Sequence, residues 1–160
     1  MIPSLLFSIA LAVPVSALAQ AAMHRVLPVQ VARDIADRAL NACQARGYKM
    51  AVTVVDRAGL PLAVLRDAEA SPLTLEASRR KAYTALTFYR SSAEVARLLQ
   101  ANPEAAPLAQ FDGVIALGGG LPIISGGQQV GAVGVAGAPG GEIDEGCART
   151  ATDGAALSLK

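Results

Sequence analysis

Two short turn signals govern what this chain can become. Asp56-Arg57-Ala58-Gly59 separates the β-branched run 50–55 from the apolar run 60–66, and Gly126-Gly127 separates 121–125 from 129–136. Connections this short reverse the chain between neighbouring strands, whereas parallel strands need a crossover of a dozen residues or more. The sheet is therefore predicted to be built from antiparallel hairpins. Pro61 cannot donate to a ladder, which puts the second strand at a sheet edge or the proline at its start. A further apolar segment, 114–117, precedes the glycine hairpin and makes five expected strands.

Helical periodicity fills the rest. After Pro28, Val31, Ile35, Ala39 and Cys43 recur every four residues, with Arg33, Asp34, Asp37 and Arg38 opposite and Gly47 as the C-cap. Ser71-Pro72 opens a helix to about residue 88, with Leu75, Ala82, Leu86 and Tyr89 near one face and Arg79, Arg80 and Lys81 around another. Ser91 and Glu94 form a capping box ahead of a short helix. An Ala-rich helix over 144–157 closes the chain, with Glu142, Asp144 and Glu145 at its positive end. The order α-β-β-α-α-β-β-β-α lacks the alternation that builds a parallel sheet. It predicts an α+β domain, helices packed on a five-stranded antiparallel sheet.

Fourteen Lys and Arg stand against 13 Asp and Glu, a net charge of +1. A nucleic-acid binder needs a basic stripe, and base stacking needs aromatic platforms; 4% aromatics and no Trp supply neither. Residues 1–19 contain no charged side chain. Their apolar run is broken by Pro14 and ends at Ala17-Leu18-Ala19, the pattern of an export signal cleaved before Gln20, though the n-region carries only its α-amino charge. A bilayer span takes about 20 apolar residues. This run is shorter, and no later stretch is long enough, so no membrane span is expected after cleavage. The expected organisation is a signal peptide over 1–19, an N-terminal arm over 20–27 and one domain over 28–160, in a periplasmic or secreted protein.

The last third is the most distinctive part. Gly119-Gly120-Leu121-Pro122-Ile123 leads through Gly127 into Val130-Gly131-Ala132-Val133-Gly134-Val135-Ala136-Gly137, then Asp144 and Cys147-Ala148. Upstream stand Val54-Val55-Asp56, Gly59, Arg66-Asp67-Ala68 and Lys81-Ala82-Tyr83-Thr84-Ala85. In this order and spacing the chain resembles the GlcG/HbpS family of haem-binding-like proteins over about residues 28–157. The resemblance implies a profilin-like three-layer α/β/α domain with strand order 2-1-5-4-3, and assembly into homo-oligomers. It implies haem, or a related tetrapyrrole, as ligand in some members. Haem-binding relatives commonly use a His as axial ligand. This chain has one, His24, in the arm outside the matched region. Inside the domain, iron would turn to Tyr48, Tyr83, Tyr89, a Cys, a Met or an oxygen ligand, or the haem would be held by its propionates alone.

Each candidate residue has a structural alternative. Gly118, Gly119 and Gly120 let a backbone approach a ligand, or make a tight connection between strands; no phosphate-loop Lys follows them. Arg79, Arg80 and Lys81 point about 100° apart on a helix, so they cannot all reach one anion. Lys81 matches the family's Lys-Ala-x-Thr-Ala motif, and Arg79 is expected to share a cleft with it; both suit a carboxylate-bearing ligand. The alternative is a solvated face, or ion pairs to Asp67, Glu69 or Glu76. Asp56 reads as an Asx turn, while Asp67, between a strand and a helix, is the better pocket candidate. The expected ligand-binding set is Asp67, Arg79, Lys81, Gly119 and Gly120. Glu142 and Glu145 are better explained by the helix dipole than by a metal, because two carboxylates rarely make a site.

Cys43 and Cys147 are even in number and, after export, lie in an oxidising compartment. In the implied fold their helices can share a face of the sheet, so a disulfide and two buried thiols are the alternatives. Three functions follow. The first is an exported, homo-oligomeric protein that binds haem or a similar carboxylate-bearing small molecule. The second is an enzyme acting on a hydroxy or oxo acid through Lys81, Tyr83 or Asp67; with the sole His remote, no nucleophilic triad is available. The third is an accessory subunit without its own ligand.

Overall fold

The structure is a computed structural model and describes residues 25–155. The expected signal peptide, and the arm up to His24, lie outside those residues. Helix α1 (Val29–Gln44) leads into strands β1 (Ala51–Asp56) and β2 (Pro61–Arg66). Helices α2 (Pro72–Phe88) and α3 (Ser92–Ala101) follow, then a 3-10 turn over Ala106–Gln110. Strands β3 (Gly120–Ser125) and β4 (Gln128–Ala136) form the second hairpin, and α4 (Gly141–Ala155) ends the described chain.

All strand pairs are antiparallel, in the order β2-β1-β4-β3. This is the expected order with one strand missing. Residues 114–117 do not join the sheet, because α2 satisfies their backbone instead. Ile115 N–H donates to Thr84 Oγ1 at 2.9 Å, and Arg80 Nη2 donates to the Val114 carbonyl. The sheet has four strands rather than five, and β3 becomes an edge. Pro61 is both the first residue of β2 and part of the opposite edge, where a missing donor costs least.

The two faces of the sheet differ in grain. Val52, Val54, Val133 and Val135 face α1 and α4, where Ile35 and Met50 complete the larger core. Cys43 of α1 and Cys147 of α4 are joined there by a disulfide across 104 positions. The other face carries small residues, and α2 lies directly upon it. A Cβ on Gly134 would stand 2.0 Å from the Ser78 carbonyl, and one on Gly120 2.1 Å from that of Lys81. Thr53 Oγ1 and Ser78 Oγ bond at 2.8 Å in this buried seam. The seat corrects the expected face of α2. Its buried residues are Thr74, Ser78, Lys81, Ala82, Thr84 and Ala85, while Leu75 and Tyr89 are exposed. A helix set this close to a sheet admits only small side chains, or a long one that can run along the seam. The capping box at Ser91 and Glu94 forms as expected.

Candidate functional site

Lys81 is the long side chain in that seam. Its Nζ donates to Asp144 Oδ2 at 2.6 Å and to the Val135 carbonyl at 3.1 Å. Both side chains are almost wholly enclosed, with 5% and 3% of their surface exposed. Asp144 Oδ1 also accepts the Ala138 N–H at 3.0 Å. Burial lifts the Asp144 carboxyl above the ordinary aspartate range, although the Lys81 ammonium and the Ala138 amide pull the other way. Gly119 and Gly120 do meet Lys81, as the sequence suggested. They leave no hollow, because a Cβ on Gly119 would fall 2.6 Å from the Val135 carbonyl and 3.1 Å from Lys81 Cδ. The expected ligand space is filled by the ion pair.

The other expected site residues are placed apart. Asp67 Oδ2 accepts the Met50 N–H at 2.8 Å and Oδ1 accepts Gln44 Nε2 at 2.5 Å, so its side chain fastens the start of β1 to α1. Arg79 makes a bidentate pair with Glu76, at 2.9 and 2.7 Å. The hydrogen bond from Arg79 holds the Glu76 carboxyl below its usual range. The residues expected for the enzymatic alternative do not converge: Lys81 is spent on Asp144, and Asp67 sits at the far end of β2 from the turn near Tyr83. Six strand residues separate those ends by about 20 Å.

Of the three residues expected for the enzymatic alternative, Tyr83 is the one that borders open space. Its ring stands between two turns. A Cβ on Gly59 would lie 3.0 Å from Cδ2 and Cε2, and one on Gly113 would lie 2.9 Å from Cδ1. Both glycines have positive φ, +78° and +85°, so neither turn tolerates a side chain there. The ring is thereby gripped at both edges. On one side opens a cleft of about 670 Å³, bounded by Arg57, Tyr83, Leu86, Tyr89, Ile124 and Gln129. On the other lies a recess of about 250 Å³ against Phe88, Leu108, Phe111 and Val114.

Tyr89 reaches the cleft at a cost. It caps α2 in the left-handed region, φ 55°, with 78% of its surface exposed. A non-glycine residue in that conformation costs about 1–2 kcal/mol. Gln129 Nε2 donates to the Leu86 carbonyl at 3.1 Å, and its Oε1 is buried without a partner among the described residues. The chain holds three Phe and three Tyr. Four of these six, Tyr83, Phe88, Tyr89 and Phe111, line the two spaces beside Tyr83.

Sequence reasoning named Tyr83 and Tyr89 but missed Arg57, Leu86, Ile124 and Gln129 as neighbours. Arg57 had a signal, lying in a turn whose Gly59 is part of the family pattern. A third recess, of about 470 Å³, holds Glu142, Glu145, Arg97 and Arg149. Glu145 is paired with Arg149 at 2.9 Å, and no cluster of three metal-ligating side chains exists among the described residues. No helix among them is long and apolar enough to cross a membrane.

Helices on both faces of a β2-β1-β4-β3 antiparallel sheet, with a glycine seam under α2, define an α+β class of domain. The chain belongs to the HbpS-like family, described as haem degrading protein HbpS-like, whose profile matches residues 27–153. A double mutant of HbpS from Streptomyces reticuli is 31% identical and superposes with a TM-score of 0.78, covering 94% of this chain and 97% of that one. Protein ORFY of Klebsiella pneumoniae is 26% identical with a TM-score of 0.78, covering 88% and 97%. PduOC, solved in complex with haem, shares the fold at 22% identity and a TM-score of 0.72, covering 81% and 94%. No curated protein matches the chain in sequence.

Proposed function

We propose that this protein is exported and binds haem, or a closely similar tetrapyrrole, in the cleft beside Tyr83. The observation that carries the reading is the gathering of four of the chain's six aromatic residues around one space of about 670 Å³ and its neighbour. Family membership and the haem complex of PduOC support the ligand class.

The residues present fit the group. Tyr83 and Tyr89 offer phenol oxygens, a class of axial iron ligand. The Arg57 guanidinium suits a propionate carboxylate. Leu86 and Ile124 give the macrocycle apolar contact. Bound haem supplies an iron centre open to redox chemistry. The chain supplies the slot, held in shape by the grip of Gly59 and Gly113 on Tyr83.

Export is supported by the Cys43–Cys147 bond, since disulfides persist in oxidising compartments. Association of like copies is supported by apolar side chains left uncovered beyond the α2 seam, Val64, Leu73 and Leu75.

Haemin titration followed by absorbance tests the reading. Wild type should give a saturable Soret shift, and Tyr83→Ala should weaken it by about tenfold or more. A spectrum equal to that of free haemin, at every protein concentration, would refute it.

A further inference from the structure

The sequence leaves several donors open to a haem iron, and the fold separates them. Cys43 and Cys147 are joined to each other. Met50 is wholly buried in the larger core. Tyr48 packs against that same core, with the Arg46 guanidinium 5.7 Å from the centre of its ring. Tyr83 and Tyr89 border the cleft of about 670 Å³, and they are held differently. The Tyr83 ring is wedged between Gly59 and Gly113. Helical side chains lean toward the N-terminus, so Tyr83 leans toward Arg79, one turn back, on whose charge its phenol acts. That direction leads away from the end of α2 where Leu86 and Tyr89 stand.

Tyr89 has the freedom that Tyr83 lacks. Its side chain lies on the cleft wall, 78% of its surface is exposed, and its hydroxyl has no partner among the described residues. It also holds the left-handed cap of α2, φ 55° and ψ 32°, a position that glycine fills without strain. Strain kept at a residue with so little packing around it is a mark of function. We infer that Tyr89 is the axial iron ligand of the bound haem, and that Tyr83 is a wall of the slot. The inference rests on the cleft being the tetrapyrrole site, and it names the donor atom, Tyr89 Oη. On ligation the phenol gives its proton to solvent, and the phenolate oxygen donates an electron pair to ferric iron, whose oxidation state does not change.

Tyr89→Phe is the test, because it keeps the ring and the cap and removes only the oxygen. Resonance Raman and absorbance spectra of the full disulfide-bonded chain with haemin should show tyrosinate ligation in wild type. Tyr89→Phe should lose that signature. Tyr83→Phe should keep it, whatever the change does to affinity. Tyr89→Phe should also weaken haemin severalfold more than iron-free protoporphyrin, a difference that the loss of a wall contact would not produce. Four results overturn the assignment and leave the cleft standing: a tyrosinate signature that survives Tyr89→Phe, one that vanishes in Tyr83→Phe, equal losses for the two porphyrins, or imidazole ligation in wild type by the sole His, His24. Failure of wild type to bind haemin overturns both.

Discussion

Lys81 Nζ and Asp144 Oδ2 lie 2.6 Å apart in the seam between α2 and the sheet, almost wholly enclosed. The pair joins α2 to the first turn of α4, and through Val135 and Ala138 it also ties down the end of β4. Its position makes it a fastening, with the open chemistry left to Tyr83. Removing one charge strands the other in the interior. Lys81→Met should therefore destabilise the protein by about 3–5 kcal/mol. The double variant Lys81→Met with Asp144→Leu should recover most of that loss, because neither group is then left unpaired. Denaturant unfolding of the three proteins checks this. A double variant as weak as the single would show that the pair holds the fold by more than mutual neutralisation.

The raised carboxyl of Asp144 sets a pH trend. A carboxyl that titrates higher in the folded than in the unfolded chain contributes stability that is complete below its unfolded value, and loses it as the pH climbs through the folded value. Wild type should lose melting temperature relative to Asp144→Asn as the pH rises from about 4, the ordinary aspartate value. The paired melting curves give the sign directly. A wild type that gains on the variant as the pH rises would mean that Lys81 attraction outweighs burial.

The disulfide between Cys43 and Cys147 closes a loop of 104 positions. In the chain-entropy model a loop of this length is worth roughly 4–5 kcal/mol. Cys43→Ser with Cys147→Ser should lower the unfolding free energy by about that amount, and reductant should do the same to wild type. Thiol titration of the denatured protein, without reductant, should find none free. Two reactive thiols would remove the bond from the account.

Much of the fold was legible because turns and periodicities are local. Asp56–Gly59 and Gly126-Gly127 forced the hairpins, and the capping box at Ser91 set the start of α3. The fifth strand failed because residues 114–117 carry a strand's composition, while the outcome was decided by Thr84 and Arg80, 31 and 34 positions away from the groups they bond. The same distance hid the site. Lys81 looked like a ligand donor until Asp144, 63 positions on, took its ammonium. Of the glycines read as an opening, Gly120 makes room for the backbone of α2, and Gly119 for the Val135 carbonyl and the Lys81 side chain. Phe88, Phe111 and Tyr83 show no shared pattern in sequence, and only the folding of 102–113 beside α2 gathers them.

Tyr89 offers a test in which stability and binding move oppositely. Glycine adopts the left-handed cap without penalty, so Tyr89→Gly should stabilise the protein by about 1 kcal/mol. The same change strips one aromatic wall from the cleft and should weaken haemin severalfold. Thermal unfolding and haemin titration of one variant supply both readings. Unaltered haemin affinity would place the ligand away from Tyr89.

Backbone amide shifts on adding iron-free protoporphyrin to the isotope-labelled, oxidised protein test the central claim most directly. The account expects the largest changes at Ala58, at residues 83–89 and at Gly127, Gln128 and Gln129, with Gly118 and Arg149 undisturbed. Changes centred on Gly118, Arg97 and Glu145 instead, with Tyr83 silent, would contradict it.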